Sequence, residues 1–503
     1  MSNNSMTPTS WIILITASFT MMLINFNFTA LNLALVDIAK DMPATLYVEQ
    51  WLLSLYVLII AILLFPSSRL SNLYSRRNIF IWSAAIFSAA SLIIANTDSM
   101  MLFLMGRILQ GISAALFIPN LYFLALTHFP QEKKTTVIAF ITAGLSIGLS
   151  MGPTIGPFIQ KASSWRWIFL MNIPLCAIIA GIIAVTVKNE SSTPGYKKNY
   201  LYLFSLLCSA LLLTPIIIKY FFSSFSLGSW FLLLGICFIY SLLPKYDKDT
   251  KPLIPFSVFK NTNFTICAAI IFCSQYAFAA ILFVSCIYMQ EMLGYKILFI
   301  SMILAALTVP MGVFSAISSY LSSKISPRAL IITGLFFLAL GNYLFSKLTN
   351  DSTTGQIVIA LLPAGTGIGL LISLANTIIA QSIESTKIRS TSGIVYVLST
   401  IANVLGIFFS AVLLTSLGRD ALSFFIKNSN IQITASELLS LQEVVKGLRY
   451  DLSSIKTLHP SIVSDATSAI QDAFTDAMYI TFLIPSFLSL LAAIYVFFRL
   501  KEN

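Results

Sequence analysis

The sequence predicts an all-α polytopic membrane protein with fourteen transmembrane helices. Of its 503 residues, 57% are hydrophobic and 10% are charged, whereas soluble domains carry about 25% charged residues. Fourteen apolar segments each have the length that crosses a bilayer as a helix, about 20 residues. The net charge of +11 therefore indicates basic loops beside a membrane rather than a nucleic-acid surface.

Loop charge predicts the orientation of these spans. An even number of spans places both termini on one side of the membrane. Short loops on that side hold eighteen Lys and Arg residues and those on the other side hold six, so the positive-inside rule places both termini in the cytoplasm. The spans are predicted at residues 11–36, 48–66, 78–97, 100–126, 136–159, 166–187, 200–218, 222–243, 264–290, 298–320, 328–346, 356–380, 391–417 and 477–499.

Spans one and four contain polar residues of kinds that are uncommon inside a membrane. Arg107 in span four lies about seven residues, or roughly 11 Å, from the predicted outer end, and ionisable residues at that depth are usually functional. Gln110 follows within one turn, and span one carries Asn25, Asn27 and Asn32. Polar residues can simply join helices, but polar residues and a cation at matching depth favour the lining of a substrate cavity. Residues in span nine, Tyr276 and Phe278, are further cavity candidates.

Acidic residues lie only in loops and at span ends. Proton relays in transporters commonly use Asp, Glu or His inside the membrane, and the sequence shows no such residue at the middle of a span. Asp37 and Glu291, near the predicted outer face, are the possible proton carriers. The two His and six Cys residues show no metal-ligand spacing, and the chain has no Walker-A or hydrolase motif. We therefore expect neither a metal site nor a catalytic site, and no enzyme activity.

Span five repeats glycine every four residues, with two prolines in phase. Glycines at this spacing let helices approach closely, and prolines remove backbone donors and bend a helix. The pattern predicts a hinge-like element made of Gly144, Gly148, Gly152 and Gly156 with Pro153 and Pro157.

These motifs together resemble the major facilitator superfamily, and more narrowly its fourteen-span drug:proton antiporter family of the EmrB/QacA type. Span five matches the antiporter motif G-x-x-x-G-P-x-x-G. Arg107, Gln110 and Gly111 match R-x-x-Q-G, and WRWIFLMNIP at 165–174 matches W-R-W-x-F-x-x-N-x-P.

The two loop motifs of the superfamily are matched in part. SRLSNLYSRR at 68–77 has the length of G-x-x-x-D-R-x-G-R-R, but Ser68 and Asn72 replace its first glycine and its aspartate, while Arg76 and Arg77 remain. The loop after span ten has the same spacing, with Lys324 and Arg328 in basic positions.

The resemblance implies a layout and a mode of energisation. It implies a six-helix bundle at 1–190, two extra spans with cytoplasmic linkers at 191–260, and a second six-helix bundle at 261–503 with a long outer loop at about 418–476. Substrate would bind between the bundles, driven by an ion gradient, with protons expected, and without a cofactor. Asn27 stands where family members usually carry an acid, which weakens the case for ordinary proton coupling.

Three functions remain open. The leading hypothesis is an exporter in the cytoplasmic (inner) membrane that moves an anionic or polar metabolite, for example a siderophore, or a drug. The anionic variant depends on Arg107, and it fails if Arg107 meets a carboxylate or binds backbone carbonyls. The alternatives are a multidrug:proton antiporter for lipophilic cations and a transport-inactive sensor or assembly protein. The expected partners are a small-molecule substrate and the lipid bilayer, with no nucleic acid; whether an outer-membrane or periplasmic protein also binds stays open.

Overall fold

The computed structural model describes residues 7–42, 46–130, 133–188, 256–322, 324–382, 388–428 and 460–499. The described residues are helical or lie in short connections. Predicted spans at 200–218 and 222–243, most of the 191–260 segment, and residues 429–459 of the predicted outer loop lie outside this description. The count of fourteen spans and the domain boundaries therefore stay predictions.

Thirteen α-helices make up the described part of the chain, numbered here in order. They are α1 Pro8–Asp41, α2 Leu46–Leu73, α3 Arg76–Ala95, α4 Met100–Thr127, α5 Lys134–Ala162, α6 Arg166–Leu170, α7 Asn172–Thr186, α8 Thr262–Ile287, α9 Ile297–Leu321, α10 Pro327–Ser346, α11 Thr354–Ser382, α12 Ile388–Asn428 and α13 Pro460–Arg499. A 3₁₀ turn at Phe256–Lys260 precedes α8, and a π-helical turn at Tyr288–Met292 follows it.

The helices coincide with predicted spans one to six and nine to fourteen. Eleven segments of the described chain are long and apolar enough to cross a bilayer, and α2 adds the shorter apolar segment Trp51–Leu64. Span six is divided between α6 and α7 at Met171. Pro174 explains the division, because it lacks the amide hydrogen that would continue the α6 bonding pattern.

The described ends of the predicted outer segment at about 418–476 are helical, and the assignment of this segment to the outer side stays a prediction. The helix α12 continues to Asn428, and α13 begins at Pro460, well before the predicted start at 477. Proline at the first helical position costs no backbone bond and favours a helix start. Hydropathy missed both extensions because they are polar.

Helix packing follows one pattern twice. In the first bundle (α1–α7), α1 packs on α5, α4 packs on α2 and α3, and α3 packs on α7. In the second bundle (α8–α13), the equivalent pairs are α8 with α12, α11 with α9 and α10, and α10 with α13. The two bundles meet reciprocally, through α5 with α9 and α2 with α12. Such a repeat is typical of transporters whose two halves move against each other around a central site.

An ion-pair cluster lies beyond the predicted outer end of the first bundle. The Arg166 guanidinium is 2.9 Å from Asp41 Oδ2 and 2.7 Å from Asp98 Oδ1. Hydrogen bonds from Trp165 and Arg166 lower the pKa of Asp41. Because Asp41 and Asp98 are largely exposed, these pairs contribute little stability, and their effect is to fix the start of α6 against α1.

Candidate functional site

A small cavity of about 20 Å³ lies where the two bundles meet. None of the described residues that line it is charged. The first bundle contributes Ile24, Asn25, Phe28, Tyr56, Val57, Ile60, Leu145 and Leu149, and the second contributes Gln275, Tyr396, Ser399, Thr400 and Asn403. This volume is enough for about one water molecule, whereas small-molecule sites span about 300–1,000 Å³. The bundles must therefore separate before a substrate can enter.

Amide side chains lie on both sides of the cavity wall, beside the hydroxyl groups of Tyr56, Tyr396, Ser399 and Thr400. Asn25 donates from Nδ2 to the Met21 carbonyl at 2.8 Å. On the opposite side, Gln275 Oε1 and Asn403 Oδ1 are buried and accept no hydrogen bond from the described residues. Buried carbonyl oxygens are usually paired, so the second bundle presents two acceptors that lack donors.

Serine residues join the bundles near this cavity. The Oγ atoms of Ser146 on α5 and Ser315 on α9 are 3.0 Å apart. Ser150 donates from Oγ to the Thr308 carbonyl at 2.9 Å. These are weak, reversible contacts between neutral groups, each contributing about 0.5–1.5 kcal/mol, which suits an interface that opens and closes.

Arg107 is completely buried inside the first bundle. Its Nε donates to the Leu52 carbonyl at 3.0 Å, and Nη1 donates to Gln110 Oε1 at 3.0 Å and to the Asn27 carbonyl at 3.5 Å. The guanidinium carbon lies 4.4 Å from the centre of the Tyr56 ring. Arg107 thus joins α4 to α1 and α2.

This placement removes the basis of the sequence argument for an anionic substrate. That argument needed Arg107 on the cavity wall, with no partner among backbone carbonyls. Arg107 does not line the cavity, whereas Tyr56, whose ring the guanidinium contacts, does. In the described residues it has no carboxylate partner, but two of its donors are used by the Leu52 and Asn27 carbonyls.

Asn27 and Asn172 form a reciprocal amide pair beside Arg107. Asn27 Nδ2 donates to Asn172 Oδ1 at 2.9 Å, and Asn172 Nδ2 donates to Asn27 Oδ1 at 2.7 Å. Ser91 Oγ then accepts from Asn172 at 3.1 Å and from Gln110 at 2.8 Å. The sequence identified Asn27, Arg107 and Gln110, and the structure brings them into one network, but not onto the cavity wall.

A double-mutant cycle tests the amide pair. We expect Asn27→Ala and Asn172→Ala each to lower the free energy of unfolding by about 1–3 kcal/mol, because each leaves Oδ1 of the other amide without its donor. The double variant should lose less than the sum of the two, with a coupling of about 1 kcal/mol. Thermal unfolding in detergent measures this, and Asn342→Ala in the second bundle is the control that should add to Asn27→Ala. Strict additivity of Asn27→Ala and Asn172→Ala would contradict the pairing.

The glycine repeat of α5 forms a seam against α1. A Cβ atom on Gly144, Gly148 or Gly152 would overlap Ser18, Met22 or Thr29, respectively. Gly156 is less crowded, since its nearest neighbour would be 3.4 Å away. Pro153 and Pro157 lie inside a helix that continues past both. The repeat thus packs α1 against α5, and its action as a hinge stays a prediction.

The remaining polar candidates, which are Asn32, Asp37 and Glu291, lie away from the central cavity. Asn32 is buried and donates from Nδ2 to the Thr29 carbonyl at 3.3 Å. Asp37 is half-buried near the end of α1 and accepts a hydrogen bond from Gln160 of α5. Glu291 is half-buried in the π-helical turn after α8. Neither carboxylate lines the central cavity.

The basic residues of the two loop motifs contact helix ends and aromatic rings. Arg77 donates from Nη2 to the Ala184 carbonyl at 2.6 Å, which satisfies a carbonyl in the last turn of α7. Arg76 lies over the Phe123 ring. Lys324 lies over Tyr320 and Arg328 over Phe497, at 4.7 and 4.9 Å. Ser68 and Asn72 belong to the last turns of α2.

Sequence reasoning missed Gln275, Asn403 and Tyr396 of the cavity and Asn172 of the network. Asn172 lies in the matched W-R-W-x-F-x-x-N-x-P motif, which could have indicated it. Gln275 and Asn403 are neutral and stand in apolar spans, so no charge singled them out. Tyr276 and Phe278 are not among the cavity residues.

Comparison with known proteins agrees with this architecture. The family model described as Major Facilitator Superfamily matches residues 17–259 and 264–427. A relative from Bacillus subtilis, the uncharacterized MFS-type transporter YvkA, is 24% identical over 72% of this chain and 81% of its own. The multidrug transporter protein MdtP of the same organism is 23% identical over 72% of this chain and 67% of its own.

A solved structure shares the fold. The bacterial homolog of the human lysosomal transporter Spinster, in an inward-facing and unoccupied conformation, has a TM-score of 0.65 and 14% identity over 99% of this chain and 100% of that one. The expectation that the chain is not an enzyme is confirmed, since these relatives are named as transporters. The chain is a multi-pass membrane protein, and its family match over most of its length shows that it belongs to the Major Facilitator Superfamily.

Proposed function

We propose that the chain exports a small polar compound across the cytoplasmic membrane by alternating access. Membership of the superfamily makes it a secondary transporter of a small molecule. The observation that carries the rest is the neutral polar cavity at the interface of two equivalent bundles. The small volume of this cavity is consistent with a closed state of the transport cycle. In that cycle the bundles separate first on one side of the membrane and then on the other.

Outward movement is supported by a relative and by the loops. MdtP is named as a multidrug transporter, and the basic loops favour a cytoplasmic location of both termini. The fourteen-span EmrB/QacA-type assignment, with extra spans at 200–218 and 222–243, belongs to this proposal. An ion gradient as the source of energy is also part of this proposal, because the chain carries no nucleotide-binding motif.

A second candidate is a multidrug:proton antiporter. The hydrogen bond from Gln160 to Asp37 favours it, because it joins the outer ends of α1 and α5 through a titratable group. Glu291 is the other possible carrier. This candidate requires transport whose pH dependence changes in Asp37→Asn or Glu291→Gln.

Flux in inside-out proteoliposomes tests both candidates. Uptake of test drugs would be compared with empty liposomes, with and without an imposed pH gradient, for wild type, Asp37→Asn and Glu291→Gln. The exporter proposal expects substrate uptake above empty liposomes. Unchanged pH dependence in both variants would count against the antiporter, and no uptake of any compound would support the transport-inactive alternative.

A further inference from the structure

Two buried acceptors without donors belong to side chains that line the central cavity. Gln275 on α8 is 2% exposed and Asn403 on α12 is 7% exposed, and both line the cavity. Gln275 Oε1 and Asn403 Oδ1 find no donor among the described residues. Because a buried carbonyl oxygen without a donor is unfavourable, a ligand N–H or O–H group gains more at these atoms than an apolar group does.

The charges around the cavity disfavour ionic ligands. None of the described residues that line the wall is charged. Arg107 does not line the cavity, but its guanidinium carbon lies 4.4 Å from the ring centre of Tyr56, which does, and it has no carboxylate partner in the described residues. Its positive charge acts through a medium of low dielectric and repels a cation. Among the described residues no basic side chain lines the wall, so none of them would offset the loss of hydration of a carboxylate.

We propose that this cavity selects uncharged compounds that carry hydrogen-bond donors, and that Gln275 and Asn403 accept those bonds. The proposal rests on the export function proposed above and adds the substrate class. It excludes lipophilic cations as preferred substrates. It also assigns the contact with the ligand to two amides of the second bundle, and not to Arg107.

A thermal-shift screen of the purified full chain in detergent tests the substrate class. Four sets of probes share naphthalene or quinoline ring systems: primary carboxamides and alcohols, their fully methylated counterparts without donors, carboxylates, and quaternary ammonium ions. A ligand that binds only the folded state raises its stability. We expect the carboxamides and alcohols to raise the melting temperature at concentrations about tenfold lower than any other set does.

Variants identify the accepting groups. Gln275→Met and Asn403→Leu should each weaken carboxamide binding about five- to tenfold, the loss expected for one hydrogen bond. The matched control is Asn342→Leu, because Asn342 is buried and has an unpaired Oδ1 but does not line the cavity. It should leave binding unchanged. If Gln275→Met does not fold, Gln275→Glu keeps the shape and should shift preference towards the quaternary ammonium probes.

The outcomes separate this proposal from the export function. Flux of the same probes into inside-out proteoliposomes is measured in parallel. Tighter binding of carboxylates or quaternary ammonium ions, with measurable flux, would overturn the substrate class and leave export standing. Equal loss of binding in Asn342→Leu and Asn403→Leu would overturn the role of the two amides. No binding and no flux for any set would overturn both proposals.

Discussion

Gly148→Ala is expected to force α1 away from α5, to destabilise the first bundle and to reduce transport. The added Cβ would overlap the Met22 carbonyl of α1, and that backbone atom cannot move without displacing the helix. Overpacking of this kind costs about 1–3 kcal/mol, occasionally more, which exceeds the gain of up to about 1 kcal/mol from replacing glycine inside a helix. The yield of folded protein and its melting temperature in detergent measure the effect.

Gly156→Ala is the matched control for this substitution. Gly156 lies in the same repeat, but the nearest neighbour of an added Cβ is Ala30 Cβ at 3.4 Å, which is ordinary van der Waals contact. We expect this variant to fold and transport as well as wild type. Equal behaviour of the two variants would show that close helix approach is not the function of the repeat.

Arg107→Ala is expected to destabilise the first bundle by about 3 kcal/mol. The substitution empties a fully buried site and leaves Gln110 Oε1 without its donor, and both changes are costly. Arg107→Lys should rescue this only in part. One ammonium cannot reproduce the planar donor set that reaches the Leu52 carbonyl and Gln110 while lying over Tyr56.

Two measurements on Arg107→Ala, the melting temperature and the binding of ligands, distinguish a structural arginine from one that binds the ligand. The structure predicts a lowered melting temperature for Arg107→Ala, with no loss of carboxylate binding in the folded protein that remains. An unchanged melting temperature together with loss of carboxylate binding would contradict this and would restore the anionic-substrate hypothesis.

Hydropathy predicts the helices of this chain well, because crossing a membrane requires long apolar segments whatever their partners. Small residues and buried polar residues are also informative: the α5 repeat predicts close packing, and Asn27 and Arg107 are brought within hydrogen-bonding distance. The direction in which a side chain points is a property of the packed bundle. Arg107 turns towards the carbonyls of α1 and α2, which no sequence pattern indicated.

Neutral groups were the hardest to recognise. Gln275 and Asn403 carry no charge. Neutral polar residues are common in the contacts between membrane helices, so these two do not stand out in the sequence. Tyr276 is the neighbour of Gln275, yet one residue turns a side chain by about 100° around a helix. The polar extensions of α12 and α13 were missed for a different reason, because hydropathy detects membrane crossing and not helix formation.

The central claim is that transport requires the two bundles to separate at the cavity, and a pair of engineered disulfides tests it. Ser146→Cys with Ser315→Cys would join α5 to α9 across the interface, where the two Oγ atoms are 3.0 Å apart. Ser318→Cys with Ser373→Cys would join α9 to α11 inside the second bundle, where the Oγ atoms are 2.5 Å apart. Single-cysteine variants control for the native cysteines.

Flux in proteoliposomes is measured before oxidation, after oxidation and after reduction with dithiothreitol. The account predicts that oxidation stops transport in the Ser146/Ser315 pair, that reduction restores it, and that the Ser318/Ser373 pair transports normally in both states. Continued transport through a fully oxidised Ser146/Ser315 pair would contradict the account, because a substrate would then cross without separation of the bundles.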